Sequence, residues 1–315
     1  MTDKTRRLLL TAALIGVAAV WGSTFVMVQT AVADYPVFSF LAWRFAVATV
    51  AFAVIFPKTF GRMNVRTIGT GVVAGLLLTG GYVFQTFGLA PGMTSPGRAA
   101  FITGMFVVIT PFMQATLLRR MPRWTAWVGI VCAVTGLWLL SGVGLGGSWG
   151  LGDTLVLLCA VVYSGHIIVL GSIGRGHDTL PLAFVQLATV AVVCAVLGSA
   201  TEHAAMPATA GLWTALVVTG VFASAIAFAV QTHAQKHLSP TRTALILICE
   251  PAFGGLYAWV FMREGIGAMG ILGAVLILAG MAASDVLGAF VAKRGEHEVL
   301  EIALEGPPSN LVEPD

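Results

Sequence analysis

Long runs of apolar residues, separated by short polar stretches, recur along the whole 315-residue chain. A helix needs about 20 apolar residues to cross the hydrocarbon core of a lipid bilayer. The pattern therefore predicts an all-α polytopic membrane protein. Its ten predicted spans lie at about residues 8–31, 36–56, 67–89, 96–118, 124–142, 150–171, 180–200, 210–234, 240–262 and 266–288.

The basic residues between these spans predict the orientation of the chain, because cytoplasmic loops carry an excess of Lys and Arg. With a cytoplasmic N-terminus, fourteen of the 17 basic residues fall on the cytoplasmic side, and only Arg98 and Arg263 fall outside. The remaining one, Arg44, lies within a span. We therefore expect a multi-pass protein of the cell inner membrane with both termini in the cytoplasm.

The first apolar run follows Lys4, Arg6 and Arg7, as the core of a secretion signal would. Such a core has about 7–15 residues, and the run from residue 8 to residue 32 is longer. We therefore expect a retained first transmembrane helix after a cytoplasmic segment at residues 1–7. At the other end, residues 289–315 are predicted to form an acidic cytoplasmic tail.

Composition narrows the class of protein further. Hydrophobic residues make up 57% of the chain and charged residues 10%, whereas soluble domains carry about 25% charged residues. The net charge of +3 is too small for a nucleic-acid surface, so the predicted surroundings are the bilayer and no nucleic acid. The four cysteines form no C-x-x-C pair, and neither a metal nor another cofactor is predicted.

Short motifs recur at a nearly constant offset. Residues 95–100 and 239–244 share the pattern S-P-x-R-x-A, 144 residues apart. Three more matches are in register: Gln85-Thr86 with Gln231-Thr232, Gly129 and Gly136 with Gly273 and Gly280, and residues 18–21 with residues 160–163. The matches predict two halves of five helices, at residues 8–142 and 150–288, joined by an outer linker at residues 143–149.

Because five is an odd number, the second half is expected to enter the membrane from the opposite side. Inverted repeats of this kind are typical of secondary transporters, which bind substrate near the bilayer midplane between the two halves. The sequence thus predicts two inverted five-helix repeats around a central cavity that opens to each side in turn.

Several of these residues resemble the EamA family of the drug/metabolite transporter superfamily. The opening motif Trp21-Gly22-Ser23-Thr24-Phe25, Arg44 in the second span, and the stretch from Ser239 through Glu250-Pro251 to Arg263-Glu264 carry the resemblance. It implies two EamA repeats with peripheral fifth and tenth helices, and the transport, often export, of small metabolites. The first half departs from the pattern, because Arg119-Arg120-Met121-Pro122 stands where the second half has Met262-Arg263-Glu264.

Two charged residues lie deep within predicted spans. Arg44 is about 12 Å from the outer surface and Glu250 about 15 Å from the inner surface, at about 1.5 Å per helical residue. A charge at the bilayer centre costs about 2.5–3.5 kcal/mol, which a facing partner would offset. Two interpretations stay open: a permanent ion pair, or a Glu250 that exchanges protons and couples export to proton entry.

Polar and aromatic residues in the spans are candidates for the lining of the cavity. They are Trp21, Ser23, Trp43, Tyr82, Gln85, Tyr163, His166 and Gln231. Their neutral, amphipathic character suits a small-molecule substrate with an apolar or aromatic body. The alternatives are interfacial aromatic belts for the Trp and Tyr residues and a structural hydrogen bond for His166.

The two S-P-x-R motifs place Arg98 at the outer mouth and Arg242 at the inner mouth. Both arginines either extend to lipid headgroups or attract anionic substrate groups at the two gates. The overall prediction is a secondary transporter, an exporter working by alternating access, with an uptake permease or facilitated exchanger as the alternative. An intramembrane enzyme is disfavoured, because the G-x-S-x-G match at residues 146–150 lacks the strand that precedes a nucleophile elbow.

Overall fold

The computed structural model describes residues 3–141, 149–202, 206–261, 267–284 and 287. Within these ranges all regular secondary structure is helical and no strand occurs. The first half contains α1 to α6, which run Asp3–Ala33, Val37–Ile55, Val65–Gly88, Pro96–Gly104, Phe106–Leu118 and Trp124–Ser141.

The second half repeats this order with one additional break. Its helices α7 to α13 run Leu151–Gly171, Thr179–Thr201, Ala210–Val217, Ala227–Gln235, Pro240–Leu247, Glu250–Phe261 and Ala268–Ser284. Most of the predicted linker 143–149, the motif Met262-Arg263-Glu264 and the predicted tail 289–315 lie outside the described residues.

Seven helical segments of the described chain are long and apolar enough to cross a membrane. Two shorter apolar helices, Trp124–Leu140 and Ala268–Ser284, add to them. Large apolar side chains such as Val50 and Val192 are more than 60% exposed within α2 and α8. Exposed apolar surface on this scale needs an apolar solvent, so these helices form a multi-pass membrane protein.

The predicted spans 96–118 and 240–262 are each divided into two helices. Serine caps the first helix of each pair: Ser95 and Ser239 accept a hydrogen bond from the backbone N–H three residues later, and proline follows at the first helical position. The breaks fall at Met105 and at residues 248–249. The second break lies just before Glu250, which begins α12, and Pro251 contributes to it because proline has no backbone N–H to donate to Leu247.

A π-helical segment, Val218–Ile226, connects α9 with α10. A π-helix shifts the hydrogen-bonding pattern by one residue, and such segments are rare except at functional sites. Gly220 allows a close approach here, because a Cβ at this position would lie 2.8 Å from the carbonyl oxygen of Arg44. The segment consequently packs tightly against α2 at the depth of the buried arginine.

Four glycines form the packing contact between α6 and α13. A Cβ at Gly129 would lie 2.9 Å from the carbonyl oxygen of Gly280, and the contact between Gly136 and Gly273 is closer still. The two helices are therefore antiparallel and packed almost backbone to backbone. Small residues at such positions are the usual means by which membrane helices approach each other.

Candidate functional site

A cavity lies where two hydrophobic clusters meet. One cluster is built on α1, α6 and α11, the other on α2, α3 and α8, and Trp21 packs against both. The cavity contains about 680 Å³ of empty space, counted together with its open mouth.

One stripe of α1 faces this cavity. Trp21, Thr24, Phe25 and Val28 line it, at the i, i+3, i+4 and i+7 spacing of a single helix face. The Trp21 indole N–H donates to the carbonyl oxygen of Ala223 in the π-helical segment, at 2.7 Å, which fixes the ring in place. Gly22, on a different face, lets α1 approach α12, because a Cβ there would collide with the carbonyl oxygen of Glu250.

Arg44 reaches the cavity from α2 and is only 3% exposed. Its Nε donates to the Ser224 hydroxyl at 3.1 Å, and an Nη atom donates to the Tyr82 hydroxyl at 3.3 Å. The guanidinium carbon also lies 4.7 Å from the centre of the Tyr82 ring, a cation–π distance. These contacts hold the positive charge at a fixed place in the wall.

Glu250 lines the same cavity from the first residue of α12. The described hydrogen bonds and ion pairs of Arg44 go to neutral groups, and its guanidinium is not paired directly with the Glu250 carboxylate. The cavity therefore presents one basic and one acidic side chain to its interior, without a direct bridge between them.

Six of the eight predicted lining residues face the cavity: Trp21, Tyr82, Gln85, Tyr163, His166 and Gln231. Ser23 and Trp43 do not line it. The Ser23 hydroxyl donates back to the carbonyl oxygen of Val20, and the Trp43 ring packs against Trp213 with 5.9 Å between ring centres. Each lies next to a lining residue on its helix, and adjacent helical residues point about 100° apart.

Arg98 and Arg242 lie outside the cavity lining. The Arg98 Nε is 2.7 Å from a carboxylate oxygen of Asp153 at the start of α7. The Arg242 guanidinium donates to the hydroxyl of Thr11 in α1 at 3.4 Å. The sequence reasoning missed Asp153, although the predicted map already put it and Arg98 at the outer ends of two spans.

Other lining residues were also missed. Phe106, Phe228 and Thr103 contribute to the wall, and Ser224 holds Arg44. For Phe228 the repeat gave a signal, because it stands 146 residues after Tyr82, the same offset that relates Gln85 to Gln231.

The fold and the cavity define a polytopic membrane protein with a central cavity. Residues 9–142 and 150–284 each match the EamA-like transporter family, so the chain belongs to this family. This result confirms the resemblance carried by the motifs above.

Two further comparisons found similar proteins. An uncharacterized transporter of Archaeoglobus fulgidus is 29% identical over 276 residues, which cover 88% of this chain and 85% of the relative. A crystal structure with a TM-score of 0.73 covers 89% of this chain and 98% of its own, at 20% identity. At that identity the likeness shows the fold alone.

Proposed function

We propose that the protein is a secondary transporter that exports small, partly apolar metabolites across the bacterial inner membrane by alternating access. The observation that carries the proposal is the central cavity, which is lined by both family repeats and holds the membrane-buried pair Arg44 and Glu250. Ionisable side chains inside a membrane are costly and usually mark a substrate or ion pathway.

Reciprocal contacts support ten crossing segments in two inverted halves. Gly273 and Gly280 stand 144 residues after Gly129 and Gly136. The contacts are crossed, because Gly129 meets Gly280 and Gly136 meets Gly273. When each glycine is replaced by its counterpart in the other half, one contact becomes the other. Contacts related in this way are characteristic of a two-fold relation between similar surfaces.

The arginine contacts outside the cavity follow the same rule. Arg242 stands 144 residues after Arg98, and Asp153 stands 142 residues after Thr11. Arg98 meets Asp153, and Arg242 meets Thr11. The Arg98 contact on the predicted outer side therefore corresponds to the Arg242 contact on the predicted inner side. Two inverted repeats require this correspondence.

The lining favours a substrate with an apolar or aromatic body. Rings from four different helices, those of Trp21, Tyr82, Tyr163 and Phe228, form a continuous set with centres about 6 Å apart. Aromatic walls with a few placed polar groups are characteristic of small-molecule sites. The cavity extends toward Val28 and Leu89, near the ends of α1 and α3 that the charge pattern assigns to the outside.

Glu250 is the group that we propose to exchange a proton during the cycle. It lies in the cavity rather than in a direct ion pair, so a proton and a cationic substrate group could replace each other at its carboxylate. The other titratable side chains of the cavity wall are Arg44, Tyr82, Tyr163 and His166. The Cys159 thiol, which does not line the cavity, also interacts electrostatically with this carboxylate.

Metabolite profiling tests the transport proposal. Cultures of the native host that overproduce the wild-type protein should accumulate a defined set of small molecules in the medium, and a deletion strain should lose them. Arg44→Gln should abolish the accumulation. Arg62→Gln is the matched control, since Arg62 is exposed and pairs with Asp178 away from the cavity. Equal external profiles in all strains would contradict export.

A further inference from the structure

Three side chains of the second half of the chain offer hydrogen-bond acceptors to the cavity. They are Gln231 on α10, His166 on α7 and Glu250 on α12. Gln231 and His166 are each only 2% exposed, so water contributes little to their hydrogen bonding. The direction in which each side chain donates follows from its fixed partners.

Gln231 is oriented by a chain of amides. Gln235 donates its Nε2 to the carbonyl oxygen of Ile167 at 2.9 Å, which turns its own Oε1 toward Gln231. Gln231 donates Nε2 to that oxygen at 3.0 Å. The remaining oxygen, Gln231 Oε1, is buried in the cavity wall and has no hydrogen-bond partner among the described residues. A flipped Gln235 would place two oxygens against each other, so the chain permits one direction only.

His166 is oriented in the same way. Gln186 donates Nε2 to the carbonyl oxygen of Leu182 at 3.0 Å and to the Thr232 hydroxyl at 3.4 Å. Its Oε1 must then accept from His166 Nε2, at 2.7 Å, so the ring proton is on Nε2. In the neutral ring this leaves Nδ1 as an acceptor on a side chain that lines the cavity.

The first half of the chain lacks this arrangement. Gln85 is the counterpart of Gln231, and it donates to the Thr103 hydroxyl at 3.4 Å. The residue 144 positions after Thr103 is Leu247, which lines the cavity without a polar group. The amide chain that orients Gln231 is therefore particular to the second half, since Leu89 stands 146 residues before Gln235.

We propose that Gln231 Oε1, His166 Nδ1 and the Glu250 carboxylate form a subsite for a primary ammonium group of the substrate. An ammonium has three N–H donors and no acceptor, which complements three acceptors with one negative charge. The proposal rests on the transport function proposed above and adds the chemical class of one end of the substrate. The aromatic rings would hold its apolar body.

Binding of two simple amines to the full-length protein in lipid nanodiscs tests this subsite. The probes are 2-phenylethylamine and its N,N,N-trimethyl derivative, which have the same body and charge, but only the first has N–H donors. We expect the primary amine to bind about tenfold more tightly, measured by calorimetry or by quenching of tryptophan fluorescence. Equal or tighter binding of the trimethyl compound would overturn the proposal, and so would undetectable binding of the amine.

Gln231→Met removes the acceptor and keeps the side-chain length. It should reduce the tenfold preference to about twofold or less, chiefly by weakening the primary amine. Gln114→Met is the matched control, because Gln114 is a buried amide that bonds Thr241 away from the cavity. An unchanged preference in Gln231→Met, or an equal loss of preference in both variants, would overturn the subsite.

Failure of this proposal is distinguishable from failure of the proposed function. Binding in nanodiscs does not require transport. Selective amine binding without any export in the host would count against the transport function alone. Export of metabolites that all lack an amino group, with no preference between the probes, would count against the ammonium subsite alone.

Discussion

Glu250 begins α12 as Phe106 begins α5, 144 residues earlier in the chain, and both side chains line the cavity. The two halves thus share a broken helix but differ in the charge at the break. A helix N-terminus carries partial positive charge, which stabilises a carboxylate more than it stabilises a phenyl ring. The helix N-terminus at the break is therefore a favourable position for a buried acid, and the second half has Glu250 there.

Removal of this acid tests proton coupling. Glu250→Gln keeps the side-chain size but removes the charge and cannot exchange a proton. Export by the wild type should depend on external pH and on the proton gradient, whereas any export that remains in Glu250→Gln should depend on neither. Metabolite efflux followed in acidic and alkaline media, with and without a protonophore, is the measurement.

The control for that experiment is Asp34→Asn, which removes an exposed carboxylate between α1 and α2 and should behave like the wild type. Gradient-dependent export that persists in Glu250→Gln would exclude Glu250 as the coupling group.

Arg44→Lys tests whether the positive charge at this position is sufficient or whether the hydrogen-bonding geometry of the guanidinium is also needed. Lysine keeps the positive charge but cannot reach Ser224 and Tyr82 together through a planar fork, as the guanidinium does. We expect export to fall at least tenfold with little change in the amount of protein in the membrane. Arg62→Lys, at an exposed ion pair, should leave export unchanged. Full export by Arg44→Lys would mean that charge alone suffices.

The backbone contact between α6 and α13 predicts a large effect from one added side chain. Gly136→Val would force the helices apart, because a Cβ at this position already meets the backbone of Gly273. Overpacking of this kind costs on the order of 1–3 kcal/mol. The apparent melting temperature in detergent should fall clearly. Gly69→Val serves as the control, since a Cβ at Gly69 meets nothing within 4 Å. Equal melting temperatures for both variants would contradict the packing.

The ion pair between Arg98 and Asp153 predicts a charge-dependent stability. Asp153 also accepts hydrogen bonds from the Thr94 hydroxyl and the Gly150 backbone N–H, so its carboxylate ties three segments together. Asp153→Asn should lower the free energy of unfolding by about 1–3 kcal/mol, and Asp153→Glu should recover part of it. Thermal unfolding of the purified variants measures both. Indistinguishable stabilities would show that the carboxylate charge is not used.

The sequence predicted the helices better than their interruptions. Apolar runs are long and distinct, so the segments from α1 to α13 lie where hydropathy placed the spans. The break at residues 248–249 has a local cause, because Pro251 has no N–H to donate to the carbonyl oxygen of Leu247. The break at Met105 and the π-helical segment contain no proline that would predict them. Tertiary contacts, such as that of Gly220 with α2, stabilise them, and no local pattern reports such contacts.

Helix periodicity predicts which residues of a single helix line the cavity. Trp21, Thr24 and Phe25 lie on one face of α1, whereas Ser23 does not, and the 3.6-residue period distinguishes them. The acceptor role of Gln231 was not predictable. It depends on Gln235 and on the carbonyl oxygen of Ile167, which is 64 residues away from Gln231 in sequence and adjacent only in the folded chain.

Single-thiol labelling in cells tests the inverted arrangement most directly. In a variant without the four native cysteines, new cysteines replace equivalent, exposed turn residues of the two halves: Asp34 and Gly176 between the first and second helices, Lys58 and Met206 between the second and third. The account predicts that a membrane-impermeant maleimide labels Asp34→Cys and Met206→Cys in intact cells. Gly176→Cys and Lys58→Cys should be labelled only after the membrane is permeabilised. Labelling of both members of either pair from the same side would contradict it.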